Sequence, residues 1–198
     1  MRLRYCLAII LMLSACGGPR LPYLGENARL LAFGDSLTVG VGAPDDGDYP
    51  AHLARLCDCE VINGGISGET TAEGLTRFAE VLEESHPDMV ILLEGGNDIL
   101  RNLDKVDLKA NLAAMIREAQ GRQIPVLLVA VPDRQLFLSP PDLYAELADE
   151  YSLPLLEDTL SKLLTDSAMK SDTVHLNDAG YRVLADDIYR LASQSGAF

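Results

Sequence analysis

The sequence predicts an α/β fold, a three-layer α/β/α sandwich around a five-stranded parallel sheet. Three observations carry this. Short apolar runs bounded by Gly and Pro alternate with stretches whose apolar residues recur at helical spacing. The strand-like runs at 28–33 and 89–93 are nearly continuous in apolar residues, as in strands covered on both faces. Clusters of Gly and polar residues directly follow the first three strands, where open parallel sheets build their ligand sites.

Taken in order, 28–33 is strand one and 39–48 is a Gly/Asp/Pro-rich loop. Helix 49–56 leads to a short strand at 60–62 and a glycine-rich loop at 63–69. Thr70 or Thr71 caps the next helix, on which Leu75, Phe78 and Leu82 recur at helical spacing. Strand three, 89–93, runs into Glu94-Gly95-Gly96-Asn97-Asp98. Leu108, Leu112, Met115, Ile116 and Ala119 mark an amphipathic helix, with Gly121 expected just past its end as a C-cap. Strands four and five are expected at 125–131 and 153–156, helices at 142–151 and 159–164. Asn177 or Asp178 caps a last helix carrying Val183, Leu184, Ile188 and Leu191.

The chain has 198 residues, 48% of them hydrophobic, which is ample for one domain with a real core. Its formal net charge of -14 argues against a nucleic-acid partner, whose phosphates it would repel, and against docking on anionic lipid through a basic patch. The N-terminus reads as a secretory signal over 1–15. Arg2 and Arg4 precede an apolar run at 7–13, too short for the roughly 20 residues a spanning helix needs. The run ends in Leu13-Ser14-Ala15-Cys16-Gly17, which resembles the lipobox of bacterial lipoproteins. That resemblance implies a lipidated Cys16 as the new N-terminus, and Gly17 resembles the second residue of lipoproteins sent to an outer membrane. The alternative is an ordinary signal cut after Ala15. Residues 16–27 read as lipidated cysteine and tether, with an arm packed on the domain surface as the alternative for 17–27, and 28–198 as the folded domain. Cys57 and Cys59, two apart, are too close for a relaxed disulfide in most backbones, although a small bridge is possible in an oxidising compartment. No function is expected of this pair.

The chemistry centres on Gly34-Asp35-Ser36, where an apolar strand turns polar. Ser36 is a candidate nucleophile or a helix N-cap, and on its own the motif does not choose. A serine nucleophile needs a base that works near neutral pH, hence a histidine. Of three, His52 lies on a short helix and His86 at a helix end, so structural or surface roles are expected for both. His175 sits in Asp172-Thr173-Val174-His175, just before the last helix. That spacing lets one turn of loop bring the Asp172 carboxylate onto Nδ1, with Nε2 left facing outward as base. An oxyanion hole needs donors, and Gly68 (backbone N–H), Asn97 (side-chain amide) and the Ser36 N–H are the candidates. For Gly68 and Asn97 the plain alternatives are a positive-φ turn and an Asx-turn.

Gly34-Asp35-Ser36-Leu37, Ile66-Ser67-Gly68-Glu69-Thr70, Gly95-Gly96-Asn97-Asp98 and Asp172-Thr173-Val174-His175 together resemble the four blocks of the SGNH (GDSL) hydrolase family. The similarity runs from about Leu30 to Ile188 and is greatest to the bacterial arylesterase, thioesterase I and lysophospholipase group. It implies a flavodoxin-like sheet and a catalytic Ser36, Asp172 and His175. It also implies an oxyanion hole of Ser36, Gly68 and Asn97. Leu176 stands where the family commonly has Pro, and Glu69 where this group often has Asp. No Gly-x-Ser-x-Gly elbow, Walker A sequence or His-Glu-x-x-His occurs, and no cofactor or metal is implied.

The expected function is therefore a serine esterase acting on a small acyl ester or thioester. It would be lipid-anchored through Cys16 in the cell envelope, facing the periplasm at the outer membrane. A carbohydrate O-deacetylase and a non-catalytic, lipid-anchored binding module are the alternatives. The segment 133–141, with Leu136, Phe137 and Leu138, is expected to line the acyl pocket, a packed loop of the three apolar residues being the equal alternative.

Overall fold

Strand β1 (Arg29–Gly34) forms because its run of apolar residues has partners on both sides, and its last five residues are buried. The computed structural model describes residues 18–25, 27–133 and 138–198. The expected signal peptide, Cys16, Leu136 and Phe137 lie outside them. Around β1 stand β2 (Glu60–Gly65), β3 (Met89–Leu93), β4 (Val126–Val129) and β5 (Leu155–Leu156), in the order β2-β1-β3-β4-β5. Every pairing is parallel. This is the flavodoxin-like order, and the strand order reverses between β1 and β3, which opens a crevice beyond their carboxyl ends.

The connections cross on both faces. After the short α1 (Ser36–Val39), α2 (Tyr49–Cys57) packs against the terminal α8 (Asp178–Ser195), with α7 (Thr159–Thr165) beside it. On the other face α3 (Thr71–Ser85) packs on α5 (Lys105–Gly121), which also meets α6 (Leu143–Tyr151). A further short helix, α4 (Gly96–Leu100), follows β3. Caps agree with the residue chemistry. Thr70 opens α3 as a capping box with Glu73, and the Asn177 side chain accepts Gly180 N–H at 3.0 Å at the start of α8.

The structure corrects several local expectations. β2 runs on through Gly64 and Gly65, because both pair with the end of β1. A Cβ on Gly65 would meet Val39 N at 2.6 Å, so close approach to α1 outweighs the poor strand propensity of glycine. β4 is shorter than expected, since β3 ends at Leu93 and leaves residues 130–131 only the neighbour on one side, and β5 keeps only Leu155 and Leu156. Gly121 is the last residue of α5 and not its cap. Arg122 closes the helix at φ −89, without a left-handed turn. Cys57 and Cys59 are disulfide-bonded. Asp58 between them takes a left-handed conformation (φ 51, ψ 45) that sets the two Cα atoms 5.2 Å apart, inside the span a disulfide accepts. Finally, the arm before β1 is docked: Leu21 is buried, and Leu21 and Leu24 donate to the carbonyls of Ser195 and Ala197.

The core directly beneath the crevice is aromatic. Phe33 on β1 meets Phe78 on α3 edge-to-face, centroids 4.8 Å apart, and the Arg77 guanidinium lies 4.1 Å over the Phe33 ring. Both rings are buried. Phe78→Ala should therefore cost about 3–5 kcal/mol, read as a lower urea midpoint with an unchanged slope. A loss below about 1 kcal/mol would mean this layer collapses to fill the gap.

Candidate active site

β1 ends at Gly34 because the chain must pass under its neighbours: a Cβ there would lie 2.2 Å from the Leu93 carbonyl of β3. The next residue, Asp35, caps α1 with its own side chain, accepting Leu37 N–H at 2.9 Å. Ser36 is thus the first residue of α1 and not its N-cap, so its hydroxyl has no helix end to satisfy. It faces His175, with Oγ 3.0 Å from Nε2. Nδ1 of the same ring lies 2.7 Å from Asp172 Oδ2.

The loop carrying these two residues is built to hold the ring. Asp172 Oδ1 accepts the backbone N–H groups of Val174 and His175, each at 2.8 Å. Ser171 N–H donates to the His175 carbonyl at 3.0 Å and Asn177 N–H to Met169 at 3.1 Å. Leu176, where proline was the family expectation, is fully buried and bridges Lys170, so packing supplies the stiffness a proline would. The hydrogen bonds from His175, and from the backbone, hold the Asp172 carboxyl down at about 2, well below its usual range.

Gly68 and Asn97 line the same cleft as Ser36 and His175. Gly68 has φ +83, a conformation that favours glycine, and its carbonyl accepts from Arg101 at 2.7 Å. The Asn97 amide nitrogen is 2.9 Å from the Glu69 carbonyl and 3.2 Å from Asp35 Oδ2. The other two histidines stand elsewhere. His52 lies between Arg55 and Asp178, and His86 is the left-handed C-cap of α3. The cleft is about 300 Å³, with an apolar wall of Leu37, Ile99, Leu100, Val131, Leu164 and Val174. Asp133, paired with Lys105, also lines the cleft, but Leu138 packs against the core and does not, which corrects part of the pocket expected from 133–141.

Reading from sequence missed the acids behind the site. Asp35, Glu69, Glu94 and Asp98 are all buried there. Glu69 is paired with Arg77 (Nε to Oε1, 2.7 Å), and Asp98 accepts both the N–H and the hydroxyl of Thr71 at 2.8 and 2.6 Å. Burial raises Asp35 to about 6, against the opposing pull of its hydrogen bond from Leu37. Burial, and then the charge of Asp35, push Glu94 up to about 10, a shift that favours its neutral form. Its Oε2 accepts Gly95 N–H at 3.1 Å, and Oε1 has no hydrogen-bond partner among the described residues. The only available sequence signal was that three of these acids sit inside the glycine-rich blocks.

A model of the GDSL-like Lipase/Acylhydrolase family matches residues 32–183. An arylesterase of Vibrio mimicus is 31% identical over 163 residues, 75% of this chain and 80% of the relative. The thioesterase 1/protease 1/lysophospholipase L1 of Escherichia coli (strain K12) is 28% identical over 165 residues, 79% of either chain. The crystal structure of TesA superimposes with a TM-score of 0.75 at 28% identity, covering 84% of this chain and 99% of that one.

The shift of Glu94 has a measurable consequence. Its folded value near 10 lies above its ordinary 4.5, so its contribution to stability is complete below about 4.5 and is lost as pH rises toward 10. Glu94→Gln keeps the shape and removes that loss. The variant's melting temperature should gain on the parent's steadily from about pH 5 to about pH 9, by several degrees at the alkaline end. A difference that stays flat with pH would show that Glu94 is ionised in the fold.

Proposed function

The chain belongs to the GDSL-like lipase/acylhydrolase family and is an ester-bond hydrolase, and from that premise we propose a lipid-anchored serine esterase of the cell envelope that works through an acyl-enzyme on Ser36. One observation carries this reading: the unbroken line Asp172–His175–Ser36, with contacts of 2.7 and 3.0 Å, opening on a cleft that also holds Asn97 and Gly68.

Ser36 Oγ attacks the ester or thioester carbonyl while His175 Nε2 takes its proton. Asp172, held ionised by its hydrogen bonds, fixes Nδ1–H and stabilises the imidazolium that forms. Negative charge on the former carbonyl oxygen is met by the Ser36 and Gly68 N–H groups and by the Asn97 amide. In the free enzyme that amide donates to the Glu69 carbonyl at 2.9 Å and to Asp35 Oδ2 at 3.2 Å, which hold its nitrogen at the cleft. His175 then gives its proton to the leaving alcohol or thiol. A water activated by the same ring releases the acid. The apolar wall from Leu37 to Val174 suits the acyl group.

The envelope assignment rests on the lipobox-like Leu13-Ser14-Ala15-Cys16, and the Cys57–Cys59 disulfide supports it, since such bonds persist in oxidising compartments. Among the described residues no helix is long and apolar enough to cross a membrane, so membrane association would depend on the acyl chains at Cys16.

Ser36→Ala should lower turnover of p-nitrophenyl butyrate on the order of 10⁴-fold or more, and surviving turnover would end the nucleophile assignment. Asn97→Ala should lower kcat about 10²- to 10³-fold with little change in KM, because the contact is made in the transition state. An equal rise in KM at constant kcat would instead make Asn97 a ground-state binding residue.

A further inference from the structure

The arm that links Cys16 to the domain is docked at the end of the molecule opposite the catalytic cleft. All five strands are parallel, so Ser36, Gly68 and Asn97 gather at their carboxyl ends. Helix α8 starts at Asp178, three residues after His175, and returns along the sheet for 18 residues. At about 1.5 Å per residue its far end lies about 25 Å from the cleft. The arm is fastened there. Leu21 N–H donates to the Ser195 carbonyl at 2.8 Å, Leu24 N–H to Ala197 at 3.0 Å, and the Leu21 side chain is buried. Gly18, Pro19 and Arg20 lie in a shallow depression with Leu191 and with Pro154 at the entry to β5.

Residues 18–20 are exposed, so the fastening begins at Leu21. Cys16 precedes Leu21 by five peptide steps, which span at most about 19 Å, short of the distance to the cleft. A lipid carried at that position would therefore be tethered on the basal side. The basal surface also offers the side chains that suit a headgroup layer. Tyr23 is 73% exposed there, in one hollow with Tyr189 and Phe198, whose rings stack at 5.4 Å. The exposed Ile66 and Leu100 lie at the opposite end, on segments that line or flank the cleft.

We infer that the bilayer holding Cys16 lies against this basal face, so that the cleft points away from it and takes water-borne esters rather than lipids of the anchoring leaflet. The inference rests on the lipidated Cys16 proposed above and narrows the substrate class of the proposed esterase. It places the enzyme on a short, stiff stalk: the arm's two hydrogen bonds and buried leucine resist the rotation that would bring the cleft to the lipid.

The test uses full-length lipidated protein in phosphatidylethanolamine/phosphatidylglycerol vesicles. The probes are p-nitrophenyl acetate in solution and a fluorogenic long-chain ester embedded in the same vesicles, chosen because the detergent-solubilised enzyme hydrolyses it. A second form carries about thirty Gly/Ser residues between Gly17 and Gly18, an average reach of about 30 Å. Turnover of the soluble ester should be the same in both forms. Turnover of the embedded ester should rise at least tenfold with the longer leash. Equal rates on the embedded ester would overturn the inference, as would protein that fails to float with the vesicles. Orientation is read separately from activity: with fluorophores on Tyr23→Cys and on Val106→Cys, exposed in the first turn of α5 at the cleft end of the sheet, a quencher lipid should dim the first and spare the second. The reverse pattern would overturn the inference. Loss of soluble-ester turnover with the expected quenching would leave the orientation standing and count against the esterase reading alone.

Discussion

Much of this molecule depends on one buried carboxylate. Asp35 follows β1 directly, caps α1 through one oxygen and receives the Asn97 amide on the other, from helix α4, 62 residues further along. It thereby sets the angle at which Ser36 leaves the sheet and ties the nucleophile to the proposed oxyanion donor. The arrangement is sterically tight. A Cβ at Gly96 would come within 2.7 Å of the same oxygen. Burying a charge in this way is costly unless hydrogen bonds replace the lost water, and a carboxyl raised only to about 6 records how nearly they do so.

The acids around Asp35 solve the same problem differently. Glu69 is neutralised by Arg77, whose guanidinium also covers Phe33, so the cation is held by an aromatic face as well as by an anion. Asp98 is satisfied by Thr71 at the start of α3. Glu94 is shifted toward its neutral form. The loop carrying Gly68 is consequently clamped on both sides. Glu69 anchors it to the core, and Arg101 grips the Gly68 carbonyl from the outside. A rigid loop matters here because donors aimed at a developing charge help only if they need not reorganise. The glutamate at position 69, where the related group often has aspartate, has the reach to meet Arg77 and so keeps this support.

How much of this was legible in the sequence depends on the range of each interaction. Met89–Leu93 was readable because a strand covered on both faces must be apolar throughout, and Asp172 with His175 because three residues of loop suffice to join them. Gly64 and Gly65 were not readable as strand, since their propensity opposes it and only contact with β1 and α1 decides. The bonded Cys57 and Cys59 turned on the left-handed Asp58, which the residue types did not announce. Leu138 looked like pocket lining because apolar character alone cannot tell a cleft wall from a packed loop.

By itself, then, the sequence determined the alternation of strands and helices, the starts of α3 and α8 to within one residue, and the identity of the serine, histidine, aspartate, asparagine and glycine from which a hydrolase site could be made. Each of these is a local property, set by side-chain type and by neighbours a few residues away. The tertiary structure alone decided the strand order that brings Ser36 within 3.0 Å of a histidine 139 residues later, the state of Glu94, and the docking of the arm far from the cleft. The physical reason is that burial and pairing between distant segments depend on which surfaces meet in space, and local periodicity does not encode that.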